Sequence, residues 1–528
     1  MKSRHAPTPR DPAPPTHSIG LPRPLVDGPD KVSGRAVYTA DLPFAGALVG
    51  RIGRSTVAHG LIRRIDATRA LALPGVRAVV TGADFSAPYG VIPIAENEWP
   101  LARERVRYRG EPLFAVAADD ARTAQAALAA VEVEIDPLPA YFDAESARAP
   151  DALLLHDDKP GNLERRVEQD FGDVDAGLKA ADLVLERRYD CAEVAHGQIE
   201  LNATVAQWDA EREQLTVHSV TQVPYYLHLM LAQTLGLDGA AVRVVKPFVG
   251  GGFGHRVEPL NFEMVTAALA RAAGGTVKLE LTREETFLTH RGRPATQTRL
   301  KIGLKTNGEI TAVDAEVVQR GGAYAGYGLV TILYAGALLH ALYRVGAVRY
   351  RGYRVYTNLP PCGAMRGHGA VNVRFAFESL LDEMAAQLGL DPFALRRANL
   401  ITPPYRTLND LQVNSYGLPQ CLDQETKGGQ AEGRPEGVIA DVLAVPDLIG
   451  VDRQQQRGQQ WGPLAPGMAL AAPLPGCQGP PQAVDEGHGQ HAEPGRREAR
   501  WHHDETLAYT FLRNVRTVLT VCRGHFNL

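Results

Sequence analysis

The chain has 528 residues, of which 45% are hydrophobic and 22% are charged, and this is the composition of an ordinary globular protein. At about 150 residues per domain, that length predicts three or four domains. Sixty acidic against 56 basic residues give a net charge of -4, so no overall basic field favours binding to nucleic acid or to an anionic membrane surface.

Three features bear on the compartment of the protein. Residues 1–24 are basic and rich in proline but lack the apolar core of a secretory signal, so we predict a disordered leader. The apolar run at 329–339 is shorter than the roughly 18 residues that a membrane-spanning helix needs, and we expect it in a protein core. Five cysteines without a C-x-x-C pair disfavour a disulfide framework or a cysteine-ligated cluster. The expected compartment is a reducing cytoplasm.

Short strands and helices alternate in the first domain, predicted at residues 25–145. β-branched or alternating segments predict strands, and Ala-rich or periodic segments predict helices. The strands are predicted at 47–55, 76–82, 111–120 and 131–135, and the helices at 64–76 and 121–131. These elements indicate a small α/β domain, and residues 143–161, with prolines and charges, are the predicted linker.

A second unit is predicted at residues 162–423, again with strands and helices mixed, so the fold class is α+β or mixed α/β. It contains a hairpin at 204–219, a strand at 242–248 and an amphipathic helix at 373–390. On that helix we predict one apolar face that contains Phe375, Ser379 or Leu380, Met384 and Leu388. The next helix begins with Asp391 as its cap and Pro392 in its first turn.

The composition changes after residue 423. Between residues 424 and 500, 32 of 77 positions are Gln, Gly or Pro, and such a segment cannot bury enough apolar area to offset its ordering entropy. We therefore predict that 424–528 is an aberrant, disordered tail. Four of the histidines in the chain, His488, His491, His502 and His503, lie in it without a recognisable metal pattern.

A glycine-rich loop, Val249 to His255, follows the strand at 242–248. Gly252, Phe253 and Gly254 lie in a stretch where the backbone can approach a ligand closely and point its N-H groups at an anion or an oxo group. The stretch lacks the Lys-Ser/Thr of a P-loop and the third glycine of a dinucleotide fingerprint. By spacing alone, a bulge or a tight turn is an equal alternative.

Two further loops contain candidate binding residues. Gln222 lies between a strand and a helix, where its amide N-H can reach an oxygen ligand while its carbonyl is held by the fold; a polar strand cap is the alternative. Arg366 lies in the loop CGAMRGHG, where a guanidinium suits anion recognition, although an ordinary turn also fits. His196 with Glu200, and His218 with His228, do not form a zinc pattern, and no G-x-S-x-G motif supports a serine hydrolase.

Together, in this order and spacing, the three loops resemble the molybdenum subunit of the xanthine dehydrogenase and aldehyde oxidase family. The segment GPDKVSGRAVYTADLP at 28–43 is similar to that family's N-terminal a/b hammerhead domain. Residues 162–423 resemble the first part of its molybdopterin-binding domain. Within the family, TQVPYYLHLMLA, GGAYAGYGLVTILYAGALLHALYRV and CGAMRGHGAVNVRFAFE are most similar to 4-hydroxybenzoyl-CoA reductase α subunits.

The resemblance implies molybdenum held by molybdopterin cytosine dinucleotide, with no metal ligand from the protein. Gln222 would bind an oxo ligand, Gly252 and Phe253 with Gly254 would offer backbone groups, and Arg366 would present its loop. Tyr327 and Tyr334 are candidates for contacts to the substrate ring or its hydroxyl, although either could instead be core packing. Iron-sulfur clusters and FAD would lie on partner subunits, in a dimer of heterotrimers.

The implied reaction is reductive dehydroxylation of 4-hydroxybenzoyl-CoA, an aryl-CoA thioester, with ferredoxin as electron donor. A hydroxylase acting on xanthine, an aldehyde or an N-heterocycle is the alternative within enzymes, and a non-catalytic assembly fragment is the alternative outside them. The resemblance ends at about Asp423, so the second part of the cofactor domain is missing or frame-shifted, and we expect this chain to be impaired by itself. Reading the coding DNA around codon 424 in the other two frames tests the frameshift.

Overall fold

Residues 23–431 are described by the structure, a computed structural model, with side chains to residue 425. Most of the predicted leader at 1–24 and of the predicted tail at 424–528 lies outside the described residues, as do His488, His491, His502 and His503. The last described helix spans Leu418–Ala431 and includes the predicted boundary at residue 424.

The N-terminal part folds into short strands and helices that alternate along the chain, as predicted for a small α/β domain. In chain order these are α1 (Gly28–Val32), β1 (Leu48–Arg54), β2 (Gly60–Asp66), α2 (Thr68–Leu71), β3 (Val76–Thr81), β4 (Arg105–Val106), β5 (Pro112–Ala118), α3 (Ala121–Ala130), β6 (Glu132–Pro137) and α4 (Ala144–Ala147). The strands predicted near β1, β3, β5 and β6 and the helix at 121–131 are confirmed.

The helix predicted at 64–76 is wrong. Residues Gly60–Asp66 form β2, which pairs with β4 on one side and with β6 on the other, and only Thr68–Leu71 is helical. Ile62 and Ile65 pack against the apolar core under α3, so pairing with β6 outweighs the helical periodicity of this stretch. The helix ends at Leu71, three residues before the predicted end at Pro74, and Gly75, with a φ of +87°, lies in the turn before β3.

The second part contains the remaining elements. They are β7 (Leu163–Phe171), α5 (Val174–Ala180), β8 (Leu183–Cys191), β9 (Ala203–Asp209), β10 (Gln214–Ser219), α6 (Pro224–Leu235), β11 (Val242–Val245), α7 (Asn261–Ala273), β12 (Thr276–Glu280), α8 (Arg283–Leu288), β13 (Thr296–Leu304), β14 (Ile310–Gly322), α9 (Leu329–Leu338), β15 (Val348–Tyr356), α10 (Ala370–Leu388), α11 (Pro392–Ala398), β16 (Tyr405–Arg406), β17 (Gln412–Val413) and α12 (Leu418–Ala431). The hairpin of β9 and β10, the helix α10 and the capped helix α11 are confirmed.

A seven-stranded sheet joins the two parts. Its order is β11-β10-β9-β12-β1-β5-β3, so strands of the N-terminal part continue a sheet begun by the second part. The junction is the parallel pair of β1 and β12, in which Leu48 lies opposite Val277. Helix α7 packs on this sheet and is buried at every position from Asn261 to Ala270. The predicted linker is also ordered, since Leu155 is buried and Asn162 bonds to Ala147 and Leu155.

A five-stranded sheet of order β7-β15-β14-β13-β8 forms the rest of the second part. Helices α9 and α10 cover one face, and the apolar run at 329–339 lies in this core as predicted. On α10 the predicted face is only partly right, because Phe375 is 45% exposed whereas Phe377 and Met384 are fully buried. Among the described helices, none is long and apolar enough to cross a membrane.

Candidate functional site

The candidate site lies where loops from the two large sheets meet. Gln222 follows β10 and the glycine-rich loop follows β11, and these two strands are parallel neighbours. The loops after β14 and β15, also parallel neighbours, carry Tyr327 and Arg366. Loops at the carboxyl ends of adjacent parallel strands are the usual position of a ligand site in α/β folds. The structure thus brings the three predicted loops together.

The glycine-rich loop is shaped by close backbone approach. A Cβ on Gly252 would lie 2.5 Å from Gln222 Oε1, so only glycine fits there. Gly254 has a φ of +103°, and a Cβ there would lie against the Ala364 carbonyl oxygen. Between these glycines, Phe253 adopts a φ of +53° and leaves its ring about half exposed. The loop therefore contacts both Gln222 and the loop of Arg366 through its backbone.

The side chain of Gln222 is held in place through its amide oxygen. Its Oε1 accepts hydrogen bonds from the backbone N-H groups of Gly254 (3.1 Å) and Arg256 (3.3 Å), and its own N-H donates to the Arg256 carbonyl (2.8 Å). Within the described part of the chain, its Nε2 makes no hydrogen bond. This geometry leaves two amide N-H donors of a fixed side chain available to a ligand.

Three consecutive backbone donors are also without a partner in the loop. The N-H groups of Gly251, Gly252 and Phe253 make no hydrogen bond to any described residue, whereas those of Gly250 and Gly254 on either side are bonded. Unpaired N-H groups in a turn that contains left-handed residues form a concave site for an anion or an oxo group. The geometry fits the predicted binding loop, whose role as a binding site stays a prediction.

The loop of Arg366 closes the other side of the site. Arg366 N donates to the Phe253 carbonyl (2.9 Å), and His196 Nε2 contacts the Ala364 carbonyl (2.8 Å). Burial lowers the pKa of His196 to about 4, so at neutral pH the ring is uncharged and donates one N-H to that carbonyl. The guanidinium of Arg366 is exposed and makes no ion pair within the described residues.

A buried pair that sequence analysis missed supports the glycine-rich loop. Arg256, 1% exposed, donates to Glu200 Oε2 (2.6 Å) and to the Gly251 carbonyl (2.9 Å). The same carboxylate oxygen accepts from Gly250 N (2.6 Å). Glu200 therefore positions the loop and does not join His196 in binding a metal. Arg256 directly follows the predicted loop, and its sequence position was the available signal.

Tyr327 and Tyr334 are brought together by His368, which sequence analysis did not select. The His368 ring lies 5.3 Å from each tyrosine ring, tilted against Tyr327 and edge-on to Tyr334. Tyr327 N donates to Glu258 Oε2, a buried carboxylate. Burial lowers the pKa of His368 to about 3, and its Nε2 has no partner among the described residues. The three rings form one aromatic cluster beside the Arg366 loop.

Glu258 also connects the site to the N-terminal part. Arg291, fully buried, pairs with Glu98 at 2.6 Å and with Glu258 at 3.5 Å. Glu98 comes from the N-terminal part, while Arg291 and Glu258 come from the second part. A buried guanidinium between two carboxylates leaves little uncompensated charge and holds the parts in register. Within the described residues, no group of three His, Cys, Asp or Glu side chains could hold a metal ion.

Comparison with known proteins shows the family of this chain. Residues 33–139 match the a/b hammerhead domain of aldehyde oxidase and xanthine dehydrogenase, and residues 155–400 match the molybdopterin cofactor-binding domain. The nicotinate dehydrogenase large molybdopterin subunit of Eubacterium barkeri is 33% identical over 413 residues, which cover 77% of this chain and 95% of that one. The chain belongs to the molybdenum subunits of the xanthine dehydrogenase and aldehyde oxidase family.

Other members of this family are longer. A xanthine dehydrogenase molybdenum-binding subunit of Escherichia coli is 34% identical over 416 residues, which cover 76% of this chain and 54% of that one. The aldehyde oxidoreductase of Desulfovibrio gigas superposes with a TM-score of 0.72 at 28% identity, over 77% of this chain and 46% of that one. The chain thus spans about half the length of these relatives but matches nearly the full length of the nicotinate relative.

The residues present fit a molybdopterin cofactor. The three unpaired N-H groups at Gly251, Gly252 and Phe253 lie on the loop that holds the side chain of Gln222, whose Nε2 is also free. Glycines at 252 and 254 let that loop approach Gln222 and the Ala364 carbonyl closely. These groups are hydrogen-bond donors, and the polar edge and the oxygen atoms of such a cofactor are acceptors. They offer no thiolate or imidazole to the metal, which the cofactor itself would hold.

Proposed function

We propose that this chain is the molybdopterin-binding part of an oxidoreductase that hydroxylates an N-heterocycle, a purine or an aldehyde. The observation that carries the proposal is the convergence of Gln222, the glycine-rich loop and the Arg366 loop on one donor-lined surface. Relatives named for xanthine, nicotinate and aldehyde support the substrate class. This is the alternative that sequence analysis left open.

Reductive dehydroxylation of 4-hydroxybenzoyl-CoA, which the sequence resemblance implied, has less support than this hydroxylation. The relatives described above are named for other substrates, and the described residues contain no feature specific to a CoA thioester. The aromatic cluster suits a planar ring of either kind. We therefore retain aryl-CoA as a comparison substrate in the experiment, with ferredoxin as the electron donor that this reaction would need.

Each group in the site has a specific role in the proposed reaction. When bound, the cofactor would supply the two-electron redox chemistry. Gln222 would donate from Nε2 to an acceptor atom of the cofactor, and the N-H groups of Gly252 and Phe253 would fix it from a second side. Tyr327 and Tyr334, with His368 between them, would contact the planar ring of the substrate. Because His368 is uncharged, it would bind a substrate without adding charge.

The chain would act within a larger assembly. Ile199, Phe253, Val371 and Phe375 leave apolar surface exposed around the cofactor loops, and exposed apolar surface of this kind is typical of an interface. We propose that another polypeptide, equivalent to the remaining half of the longer relatives, supplies further cofactor contacts. Iron-sulfur and FAD subunits, and the cytosine dinucleotide form of the cofactor, are retained as predictions from the resemblance.

Expression of the full chain with its genomic neighbours tests the proposal. We expect the purified complex to contain molybdenum and molybdopterin and to oxidise nicotinate, xanthine or an aromatic aldehyde, with little turnover of 4-hydroxybenzoyl-CoA. Preferred turnover of the aryl-CoA would instead support the reductive reaction. Co-purification of the subunits without metal would support a non-catalytic assembly fragment and contradict the proposal.

A further inference from the structure

The loop between β14 and α9 carries Tyr327 and is held from outside the cofactor site. In the stretch 321–330 every residue is buried except Tyr327, which is partly exposed. The backbone therefore presents this one ring from an otherwise buried segment. We call residues 323–327 the Tyr327 loop, and its position determines where the Tyr327 ring lies.

The hammerhead part contacts the Tyr327 loop first through Asn97. Asn97 Oδ1 accepts a hydrogen bond from Ala325 N (3.2 Å), and its Nδ2 donates to Tyr356 OH (3.0 Å). Ala325 is buried, so no bulk water can replace this acceptor. The side chains of Glu96 and Glu98, on either side of Asn97, also bond to the second part. This stretch is therefore anchored at three successive positions.

The second hammerhead contact is made by Glu111, which directly precedes β5. Glu111 is buried, and both of its oxygens are used: Oε1 accepts from Tyr324 OH and Oε2 accepts from Arg107 N. It forms no ion pair with a described residue. Burial raises the pKa of Glu111 to about 7, so its neutral form is populated near neutral pH. An uncharged carboxyl group thus holds the hydroxyl of the loop tyrosine.

The ring of Tyr324 is enclosed on further sides. It lies edge-on to Tyr108 at 6.5 Å and to His156 at 5.6 Å between ring centroids. His156 Nε2 also contacts the Ala323 carbonyl at 2.7 Å. Burial lowers the pKa of His156 to about 4, so at neutral pH the ring is uncharged and donates its N-H to that carbonyl. A buried ring with neighbours of this kind has little freedom to move.

Glu258 holds the other end of the Tyr327 loop. Tyr327 N donates to Glu258 Oε2 at 3.0 Å, and a Cβ on Gly326 would lie 2.5 Å from the same oxygen. The hydroxyl of Tyr324, the N-H of Ala325 and the N-H of Tyr327 are thus all bonded to side chains from other elements. A shift of the loop would break at least one of these bonds, so together they fix the position of the Tyr327 ring.

We propose that Asn97 and Glu111 are positioning residues, which hold the Tyr327 loop and so determine how a planar substrate ring fits against Tyr327. The proposal rests on the proposed function, in which Tyr327 contacts the ring. Among the described residues, neither Asn97 nor Glu111 bonds to the glycine-rich loop or to the Arg366 loop. The hammerhead part therefore contributes to substrate specificity through a loop of the second part.

Hydrogen exchange of the full chain, expressed with its genomic neighbours, tests the positioning. Tyr324→Phe removes the bond to Glu111, and Asn97→Ala removes the acceptor of a loop N-H. Each should speed exchange in the Tyr327 loop about tenfold, as for the loss of one buried hydrogen bond. Glu111→Gln should exchange like the unchanged chain, because its amide still accepts from Arg107 N and bonds to the tyrosine hydroxyl.

Tyr343→Phe is the matched control for a general loss of stability. Tyr343 is also buried, and its hydroxyl donates to Glu378 at 3.1 Å, but it lies outside the Tyr327 loop. This variant loses a comparable bond and should leave exchange in the loop unchanged. Exchange in Tyr324→Phe and Asn97→Ala that equals exchange in the unchanged chain would overturn the proposal.

Steady-state kinetics with nicotinate or xanthine tests the effect on the substrate ring. Tyr324→Phe should raise KM about threefold to tenfold, the contribution of one aromatic contact, and leave kcat unchanged. Because the effect passes through Tyr327, the double variant Tyr324→Phe/Tyr327→Ala should have the KM of Tyr327→Ala alone. Additive effects on KM, or a loss of kcat at constant KM, would show that Tyr324 does not position the ring.

The proposed function fails by a different result. A complex without molybdenum or turnover contradicts the proposed function, whereas hydrogen exchange needs neither and still decides whether Asn97 and Glu111 hold the loop. In an active complex, faster exchange together with an unchanged KM would overturn their role in substrate fit.

Discussion

At the scale of single residues, the site depends on side chains that bind the fold through one hydrogen-bonding group and leave the other group free for a ligand. Gln222 binds two backbone N-H groups through Oε1, and this fixes the direction of Nε2. Fixed donors require no reorganisation when a ligand arrives, so their effect on binding is larger than that of a mobile side chain. A substitution that removes the donor group and keeps the acceptor group can separate the structural role of such a side chain from its role in ligand binding.

Gln222→Glu makes that separation. A carboxylate oxygen can still accept from Gly254 and Arg256, but the second oxygen cannot donate. We expect the free energy of unfolding in urea to change by less than about 1 kcal/mol, while turnover of the metal-containing complex falls about 100-fold, as for the loss of one preorganised donor. The exposed Gln214→Glu makes the same charge change and should alter neither. Full turnover in Gln222→Glu would exclude the donor role.

Gly254→Ala tests the contact between the two loops. The added Cβ would press on the Ala364 carbonyl, and the φ of +103° is unfavourable for alanine. We expect destabilisation of about 2 kcal/mol in urea unfolding, together with loss of cofactor. Gly275→Ala is the matched control, because no atom lies within 4 Å of its Cβ position and its φ is not in the left-handed region. Equal stability of the two variants would contradict the close approach.

His196 predicts a pH dependence of stability. Its pKa, lowered to about 4 by burial, lies below the ordinary value of 6.5. The unfolded chain therefore binds this proton more readily, and stability that is present above pH 6.5 is lost as the pH falls towards 4. In His196→Gln that loss should be smaller by about 2 kcal/mol between pH 7 and pH 4.5. Urea unfolding of both proteins across this range measures the difference, and parallel curves would contradict it.

At the scale of elements, local patterns predicted strands and helix ends better than they predicted helix faces. Strand β5 is apolar and buried at every position, and α11 has its Asp391 cap, whose side chain accepts from Ala394 N. Helix α10 is covered from two directions, by β13 and by α9, so its buried surface is wider than a single stripe. The assignment of Phe375 to the core failed because Phe375 lies nine residues before Met384, which is about 180° around a helix of 3.6 residues per turn.

Two substitutions on α10 distinguish its faces. Phe377 is fully buried in the core of the five-stranded sheet, so Phe377→Ala should cost about 3 to 5 kcal/mol in the free energy of unfolding. Phe375 contacts Tyr189 edge-on and is half exposed, so Phe375→Ala should cost less than about 1 kcal/mol. Similar losses in the two variants, measured by urea unfolding, would refute the observed orientation.

The site was predictable only in part, for a physical reason. Glycines and a loop glutamine leave local signals, and the order of the loops resembles a family, so Gln222, Phe253 and Arg366 were found. Asn97, Glu200 and His368 act through contacts made across the fold, such as the bond between Asn97 and Ala325 N. Sequence spacing contains no information about which distant backbone group a side chain reaches.

At the scale of the whole described molecule, the hammerhead and cofactor parts are coupled by a shared sheet and by a buried charge. Glu98→Gln would leave Arg291 with one carboxylate, at 3.5 Å, in place of two. We expect destabilisation of about 3 kcal/mol. Hydrogen exchange should show equal loss of protection in β5 and in β12. Glu104→Gln, at an exposed position, is the control, and loss confined to β5 would show that the parts unfold independently.

The parallel pairing of β1 with β12 also has a consequence for synthesis on the ribosome. Leu48 and Val277 are partners, so 229 residues must be made after the first before the second exists. During that interval β1 can pair with β5, but its other edge carries unsatisfied hydrogen-bonding groups. Long-range pairing of this kind is slow and leaves the nascent chain open to association with its neighbours. Yield in the cell should therefore depend on chaperones that shield this edge until Thr276–Glu280 emerges.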